Sequence, residues 1–536
     1  MVNPKIRDIM VLMRRLPLDT SSFKQIRERG WVYVDKTPWI HRLVTEGICY
    51  FLSRPRRFGK SLTVNTLKEL FRGNRKLFEG LYIHDKWDFT EHPVLIFDFN
   101  EISHENAENL KRGLQYRLTT YAEDYGVDLP EGDLRERFDR LIKALYRKTG
   151  RPVVVLVDEY DKPILDHLGL GEERMHIARQ NREILKNFFG VLKGAGVVDE
   201  LAFVFVTGVS SFTKVSIFSE WNNLVDITLH PDFADFLGYT EEEMVRFFPE
   251  HLDRLCEEKG FKGREECLSE IRFWYNGYRF SPRRDLRVYN PISVMYCLSW
   301  RSFENFWFRT GTPTFLVNWL KEKPWRIPEL ERFPVGAEFL EAFDLENLRV
   351  EAVLYQAGYL TIGEVRDEEW VLTYPNREVR RSFQGILLQG LCDWETRPRV
   401  LADELGRAIR RLDWDAVREI LNDILSYIPH SLYARADERF FHTVFYLALA
   451  LSGYRAESEV LTHRGRLDMA VRYEGEGRVF VFEFKAGVSA EEALKQIEAR
   501  GYADRFRARG LSVIGVGVSF DPAERRVLDI SVRASS

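Results

Sequence analysis

The stretch ICYFLSRPRRFGKSL, residues 48–62, decides the fold of the N-terminal half. Its first six residues, Ile48 to Ser53, are an apolar run that reads as a buried strand, and Ser61 to Phe71 reads as a helix. Between them stand Gly59, Lys60 and Ser61, the second half of the G-x-x-x-x-G-K-[ST] phosphate-binding pattern, with Arg54 in place of its first glycine. The chemistry fits the spacing. Backbone N–H groups at the start of a helix can cradle phosphate oxygens. A lysine at position 60 can reach terminal phosphates, and the Ser61 hydroxyl can sit on Mg²⁺.

Working outward, Val94–Phe99, Pro152–Val157 and Leu201–Thr207 read as three more continuous apolar strands, with a long helical stretch from Glu105 to Tyr125. Apolar strands separated by helices imply a parallel sheet buried on both faces. The third strand ends in Asp158-Glu159. In that position Asp158 would hold Mg²⁺ through water and Glu159 would polarise an attacking water. The plainer alternative is a pair of carboxylates capping a strand. Thr207, followed by Gly208-Val209-Ser210, stands where a polar γ-phosphate sensor would lie, or else in an ordinary strand-to-loop turn. Arg56 and Arg57 could contact phosphates or a neighbouring subunit of a homo-oligomer, or form a solvated basic turn.

The chain as a whole is too long for one hydrophobic core: 536 residues, 45% hydrophobic and 30% charged. The formal net charge of −4 neither supports nor excludes a nucleic-acid partner, because only a local patch need be basic. The five cysteines are scattered, without a C-x-x-C pair, which argues against a disulfide framework or a zinc site. No apolar run is long enough to span a bilayer and no signal peptide is legible, so a cytoplasmic protein without membrane contact is expected.

Three parts are expected: 1–237 with the P-loop sheet, a helical, aromatic-rich middle at 238–433, and 434–536. Within the middle, residues 354–374 read as a helix end and a two-stranded hairpin, either the wing of a winged-helix unit or a packing hairpin. The last part reads as helix Asp437–Leu451, strands Tyr454–Leu461, Leu467–Tyr473 and Arg478–Lys485, helix Ser489–Arg509 and strand Leu511–Phe520. A further strand is expected at Val527–Val532. That order, αβββαβ, suits a small independent domain.

In the last part, Asp468 lies near the start of one strand and Glu483 and Lys485 end the next. Residues i and i+2 of a strand share a face, so Glu483 and Lys485 project together while Phe482 and Phe484 point the other way. If the strands pair as a hairpin, Asp468 meets them. Two adjacent carboxylates repel unless a cation lies between them, and Mg²⁺ or Mn²⁺ suits oxygen ligands. Lys485 could then orient a water or stabilise a phosphorane-like transition state. Gln496 on the following helix, Glu438 at the start of the first helix and Glu459 on the first strand could complete the cluster. The plain alternative is charge alternation along a half-exposed strand. His442 and His463 read as helix and loop histidines without metal.

The segments VDKT at 34–37, RPRRFGKSL at 54–62, DEYDKP at 158–163, TGVSSF at 207–212, NNLVDITL at 222–229, WYNGYRF at 274–280 and YNP at 289–291 resemble the AAA-ATPase-like family of bacterial and archaeal proteins. The resemblance implies an AAA/ASCE-type α/β fold with the strand before the P-loop central, ATP as ligand, and an arginine-rich loop without the first glycine. It implies a nucleotide site at Arg56, Arg57, Phe58, Gly59, Lys60, Ser61 and Leu62, with Asp158 and Thr207. WYNGYRF reads as structural, with Arg279 a candidate trans-acting arginine. The segments ERFFH at 438–442, AESEV at 456–460, HRGRLDMAV at 463–471, VFEFKAG at 481–487 and ALKQIEARGYAD at 493–504 resemble the PD-(D/E)XK nucleases fused to such ATPases, with a restriction-endonuclease-like fold. That resemblance implies an active-site set of Asp468, Glu483 and Lys485, with Glu438 and Gln496 accessory.

Two functions follow as expectations. One is an ATP-hydrolysing protein with a divalent-metal-dependent nuclease, acting on DNA and regulated by nucleotide state. The other is a nucleotide-operated switch or scaffold whose nuclease fold binds nucleic acid or a partner without cutting. A processive motor is disfavoured, because nothing in the middle region reads as helicase motifs.

Overall fold

The computed structural model describes residues 13–211, 217–218, 221–307, 327–340, 349–392, 397–429, 438–462, 465–472, 477–499, 504–508, 510–521 and 523–535. The chain forms two compact units, Met1–Thr310 with Pro334–Glu378, and Gly311–Phe333 with Val379–Ser536. Among the described residues no helix is long and apolar enough to cross a membrane.

The first unit is built on five strands: β1 Cys49–Ser53, β2 Val94–Asp98, β3 Val153–Asp158, β4 Leu201–Gly208 and β5 Val225–Asp226. Their order is β2-β3-β4-β1-β5, and each neighbouring pair runs parallel. All six residues of β3 are buried, as a strand covered on both faces requires. The strand before the P-loop, expected at the centre, lies inside the sheet between β4 and β5, and β4 holds the middle. This inserts β4 between the P-loop strand and the Asp158 strand, so the turn after β4 faces both.

Helices Ala107–Tyr125, Leu134–Thr149 and Glu172–Phe189 cover this sheet, with Phe97 of β2 packed on Phe138 and Phe188. The first two helices start on Asn106 and Asp133, whose side chains accept from the backbone N–H three residues on, and end on left-handed glycines. Downstream, helices Glu241–Phe247, Pro249–Lys259, Arg264–Tyr275 and Pro291–Trp300 share one core with Leu16, Val32 and Val34. The hairpin expected at 354–374 is present. Helix Val350–Ala357 leads into it, and β7 Thr361–Arg366 pairs antiparallel with β8 Glu369–Thr373. A third strand, β6 Phe333–Gly336, extends it on the β8 side.

The second unit centres on β9 Arg455–Thr462, β10 Gly465–Arg472, β11 Arg478–Ala486, β12 Ser512–Asp521 and β13 Arg526–Ser535, in the order β13-β12-β11-β10-β9. Only the β11–β12 pairing is parallel. Helix Glu438–Leu451 precedes the sheet, and helix Ala490–Ala499 crosses between β11 and β12, giving the expected αβββαβ order. The helix expected over 489–509 is described as Ala490–Ala499 and Asp504–Arg507, with 500–503 outside the described residues. Helices Arg397–Arg411 and Trp414–Ser426 belong to this unit. Asn422 exchanges two hydrogen bonds with the Val527 backbone, and Trp414 packs edge-on against Phe480 and Phe482.

Candidate active sites

In the first unit the chain leaves β1 into a loop whose shape comes from residues that do not point at a ligand. Arg54, standing where the pattern has glycine, is 1% exposed. Its guanidinium donates to the carbonyls of Ser53, Thr228 and Phe233 and lies 4.2 Å over the Phe280 ring. Burial pushes its pKa down to about 10. Phe58 is buried edge-on against Tyr278 and Phe280. Tyr278 and Phe280 of the WYNGYRF segment are therefore the floor beneath the loop. On the outer side, Gly358 has φ +87°, and a Cβ there would stand 2.7 Å from the Pro55 Cβ.

Inside this frame Arg57 and Gly59 both adopt left-handed conformations, φ 68° and 93°. Such a sequence turns successive N–H groups toward one concavity, the geometry of an anion nest. Gly59 caps helix Lys60–Phe71 without a side-chain hydrogen bond, leaving the helix N-terminus facing the concavity. Lys60 is nearly buried. Its Nζ donates to the carbonyls of Arg54 (3.1 Å) and Pro55 (3.2 Å) and stands 3.3 Å from a Glu159 oxygen. A cavity of about 420 Å³ opens above, walled by Arg57–Thr63, Glu159, Tyr33, Tyr239 and Met295. That is within the size range of small-molecule sites.

Asp158, at the end of β3, is 2% exposed. Burial, reinforced by Glu159, raises its pKa to about 7, against the opposing hydrogen bond from Ser61 and the charge of Lys60. Its Oδ1 is buried and has no hydrogen-bond partner among the described residues. A buried carboxylate oxygen left open beside the Ser61 hydroxyl fits Mg²⁺, a hard cation that takes oxygen ligands. Glu159 has φ 52°, an uncommon conformation for a residue with a side chain.

Other candidate residues lie differently. Arg56 is exposed and off the cavity wall, while Leu62 is on it. Phe58 can face a phosphate only with its backbone, because its ring is buried in the aromatic floor. The Thr207 hydroxyl donates to the Leu52 carbonyl at 2.8 Å, tying β4 to β1 inside the sheet. Arg279, the candidate trans-acting arginine, is turned inward. It donates to the carbonyls of Ser281, Pro282 and Arg284 and meets Asp285 at 3.4 Å, so it braces its own loop.

The structure also brings in two residues with no role in the sequence reading. Asp161 is fully buried and accepts from the N–H groups of Val209 and Ser210 and from the Ser210 hydroxyl. Gln356 reaches Ser211 from 145 residues away. Asp161 was visible as the last acid of DEYDKP. Nothing local marks Gln356.

In the second unit, alternation along β11 separates two faces. Phe484 stacks on Phe445 at 4.9 Å, with His442 edge-on to it at 5.9 Å. On the opposite face Val479 and Val481 join Leu494 and Ile497 of the crossing helix. Glu483 shares that second face and is 1% exposed. Lys485 stands 3.2 Å from its Oε1, and the Gln496 amide donates to the same oxygen. The helix reaches Glu483 because β12 presents Gly517 directly beside it. A Cβ at Gly517 would stand 2.1 Å from the Ala490 carbonyl oxygen.

Met469 pairs with Phe482 across β10 and β11, so the backbones of Asp468 and Glu483 come side by side one step further on. The side chains of Asp468, Glu438 and Glu459 lie outside the described residues, as does His463. Glu438 opens helix Glu438–Leu451, and Glu459 lies on β9. Two carboxylate residues on adjacent strands, with one carboxylate buried beside a lysine, form a donor set that fits Mg²⁺ or Mn²⁺. Among the described residues no group of three or more His, Cys, Asp or Glu could hold a metal ion.

Residues 17–218 match the model of a predicted AAA-ATPase family, and residues 436–529 match that of the PD-(D/E)XK nuclease superfamily. Over 537 aligned residues the chain is 37% identical to an uncharacterized protein in the vnfD 5' region of Azotobacter chroococcum mcd 1. That alignment covers 97% of this chain and 99% of the Azotobacter protein.

Proposed function

Because this chain belongs to the predicted AAA-ATPase family and carries a C-terminal PD-(D/E)XK nuclease superfamily domain, we propose that it is an ATP-regulated DNA nuclease. It binds and hydrolyses ATP in the first unit. It cleaves phosphodiester bonds in DNA with a divalent metal in the second, and nucleotide state regulates the cleavage. The functional partition is 1–237 for the ATPase, 238–433 for the helical middle and 434–536 for the nuclease. A cytoplasmic setting accords with five cysteines that are all free.

The observation that supports the reading most is the buried, open oxygen of Asp158 beside Ser61, at the mouth of a loop whose N–H groups and lysine converge. Lys60 neutralises charge on the terminal phosphates once ATP displaces it from the loop carbonyls. Ser61 and Asp158 would hold Mg²⁺, and Glu159 orients the attacking water. In the nuclease, Asp468 and Glu483 would hold the metal, and Gln496 fixes the Glu483 carboxylate. Lys485 orients the attacking water or stabilises the charge that develops on the phosphate. A bound divalent ion supplies a lowered water pKa and charge neutralisation at the phosphate.

Lys60→Ala tests the link between the two activities. The variant is expected to lose ATP affinity and to show a nuclease rate that no longer responds to ATP. If ATP affinity, DNA binding and cleavage all stay at wild-type values, the regulatory reading is wrong.

A further inference from the structure

We propose that Asp161 and Gln356 are positioning residues for ATP hydrolysis: they grip the turn Val209–Ser211 from two sides and hold it in register with Glu159. The proposal rests on the ATPase reading above.

Asp161 follows Glu159 by two residues and is 0% exposed. Burying a carboxylate is costly unless donors satisfy it. Here one turn supplies them: Val209 N–H at 3.1 Å, Ser210 N–H at 2.6 Å and Ser210 Oγ at 2.6 Å, all to Oδ2. The preceding Gly208 allows the approach, since a Cβ there would stand 2.5 Å from Asp161 Oδ1 and 2.6 Å from the Tyr160 ring. Tyr160 adds a hydrogen bond from its hydroxyl to the Ser210 carbonyl at 2.8 Å. The turn at the end of β4 is thus docked on the segment that carries Glu159.

The second grip comes from far away in sequence. Gln356, 5% exposed, accepts from the Ser211 N–H at 3.0 Å and donates to the Ser211 hydroxyl at 2.6 Å. It lies on helix Val350–Ala357, whose capping Gly358 packs on Pro55 of the phosphate loop. One helix end therefore touches both the phosphate loop and the turn after β4, then leads directly into the β6-β8-β7 sheet. A shift of the turn against Glu159 would misalign the attacking water without altering the phosphate loop that binds nucleotide. Misplacement on that scale is expressed in turnover rather than in affinity.

The test uses the full chain with Mg²⁺ and compares steady-state ATP hydrolysis with ADP affinity. Gln356→Leu and Asp161→Asn are each expected to lower kcat at least tenfold, with KM and the ADP Kd within twofold of wild type. Gln356→Glu can still accept from the Ser211 N–H and from a rotated Ser211 hydroxyl, and is expected to keep kcat within threefold. Wild-type kcat in both Gln356→Leu and Asp161→Asn overturns the proposal, as does a fall in kcat matched by an equal loss of ADP binding. If the wild-type protein itself hydrolyses no ATP, the ATPase reading fails first and this proposal falls with it.

Discussion

Asp158 and Ser61 meet at the mouth of the phosphate loop, where the Ser61 hydroxyl opposes the rise in pKa that burial imposes on a carboxylate 2% exposed. The carboxylate keeps its Oδ1 open among the described residues. A buried acid with an open oxygen is unfavourable unless a cation or a proton completes it. The two residues come from separate parts of the chain and meet because β1 and β3 end at the same edge of the sheet.

Asp158→Asn removes the charge and keeps the shape. Mg²⁺-dependent ATP hydrolysis should fall on the order of 100-fold. Affinity for ADP without Mg²⁺ should stay near wild type, because the loop N–H groups and Lys60 are untouched. Calorimetric titration with and without Mg²⁺ separates the two. Equal Mg²⁺ enhancement of binding in variant and wild type would refute the assignment.

Gln496 donates to the Glu483 carboxylate from the crossing helix. A residue that orients a metal-binding group typically contributes 10–100-fold, so Gln496→Leu should lower the cleavage rate by roughly that factor. The loss should shrink as Mn²⁺ is raised, because the defect lies in metal affinity. A rate deficit that is independent of metal concentration would assign Gln496 a different role.

Gly517 is the contact point between β12 and the crossing helix. Gly517→Ala would place a methyl 2.1 Å from the Ala490 carbonyl oxygen and 2.7 Å from the Leu494 nitrogen, both backbone atoms. Overpacking of this kind costs about 1–3 kcal/mol. The second unit should melt several degrees lower, and cleavage should fall with the displaced Gln496. Unchanged melting would mean that the helix stands further from the sheet.

Glu378 accepts from the N–H groups of Phe306 and Trp307 and is fully buried. Burial raises its pKa from 4.5 to about 7. Between those values the folded protein holds a proton that the unfolded chain has lost. The stabilising contribution is thus full below pH 4.5 and lost as pH rises to about 7. Glu378→Gln keeps an acceptor oxygen and removes the titration. At pH 8 the variant should be more stable by on the order of 3 kcal/mol, and at pH 4 the two should melt alike. Thermal melts at the two pH values decide this, and a variant less stable at pH 8 would contradict it.

The parts of both candidate sites were legible in the sequence where their chemistry is local. Gly59-Lys60-Ser61 and Asp158-Glu159 are contiguous, and Glu483 and Lys485 share a face by the period of a strand. Gln496 followed from the helix after that strand. The two-residue strand Val225–Asp226 was not legible, because it is too short and too exposed to carry a pattern. Nor was the buried state of Arg54, which depends on carbonyls at Thr228 and Phe233. Thr207 looked like a sensor, but its hydroxyl is held by Leu52 on a strand brought beside it only by the sheet order. Gln356 meets Ser211 across 145 residues, a distance that no local pattern spans.

The proposed coupling of ATP to metal-dependent cleavage is tested most directly by cleavage of a mixed panel of labelled DNA and RNA with Mg²⁺ or Mn²⁺, with and without ATP, for wild type and Lys485→Ala. Wild type is expected to cleave DNA at a rate that changes with ATP, and Lys485→Ala to cleave none. Wild-type protein that binds DNA but cuts nothing with either metal would contradict it and favour a nucleotide-operated switch or scaffold.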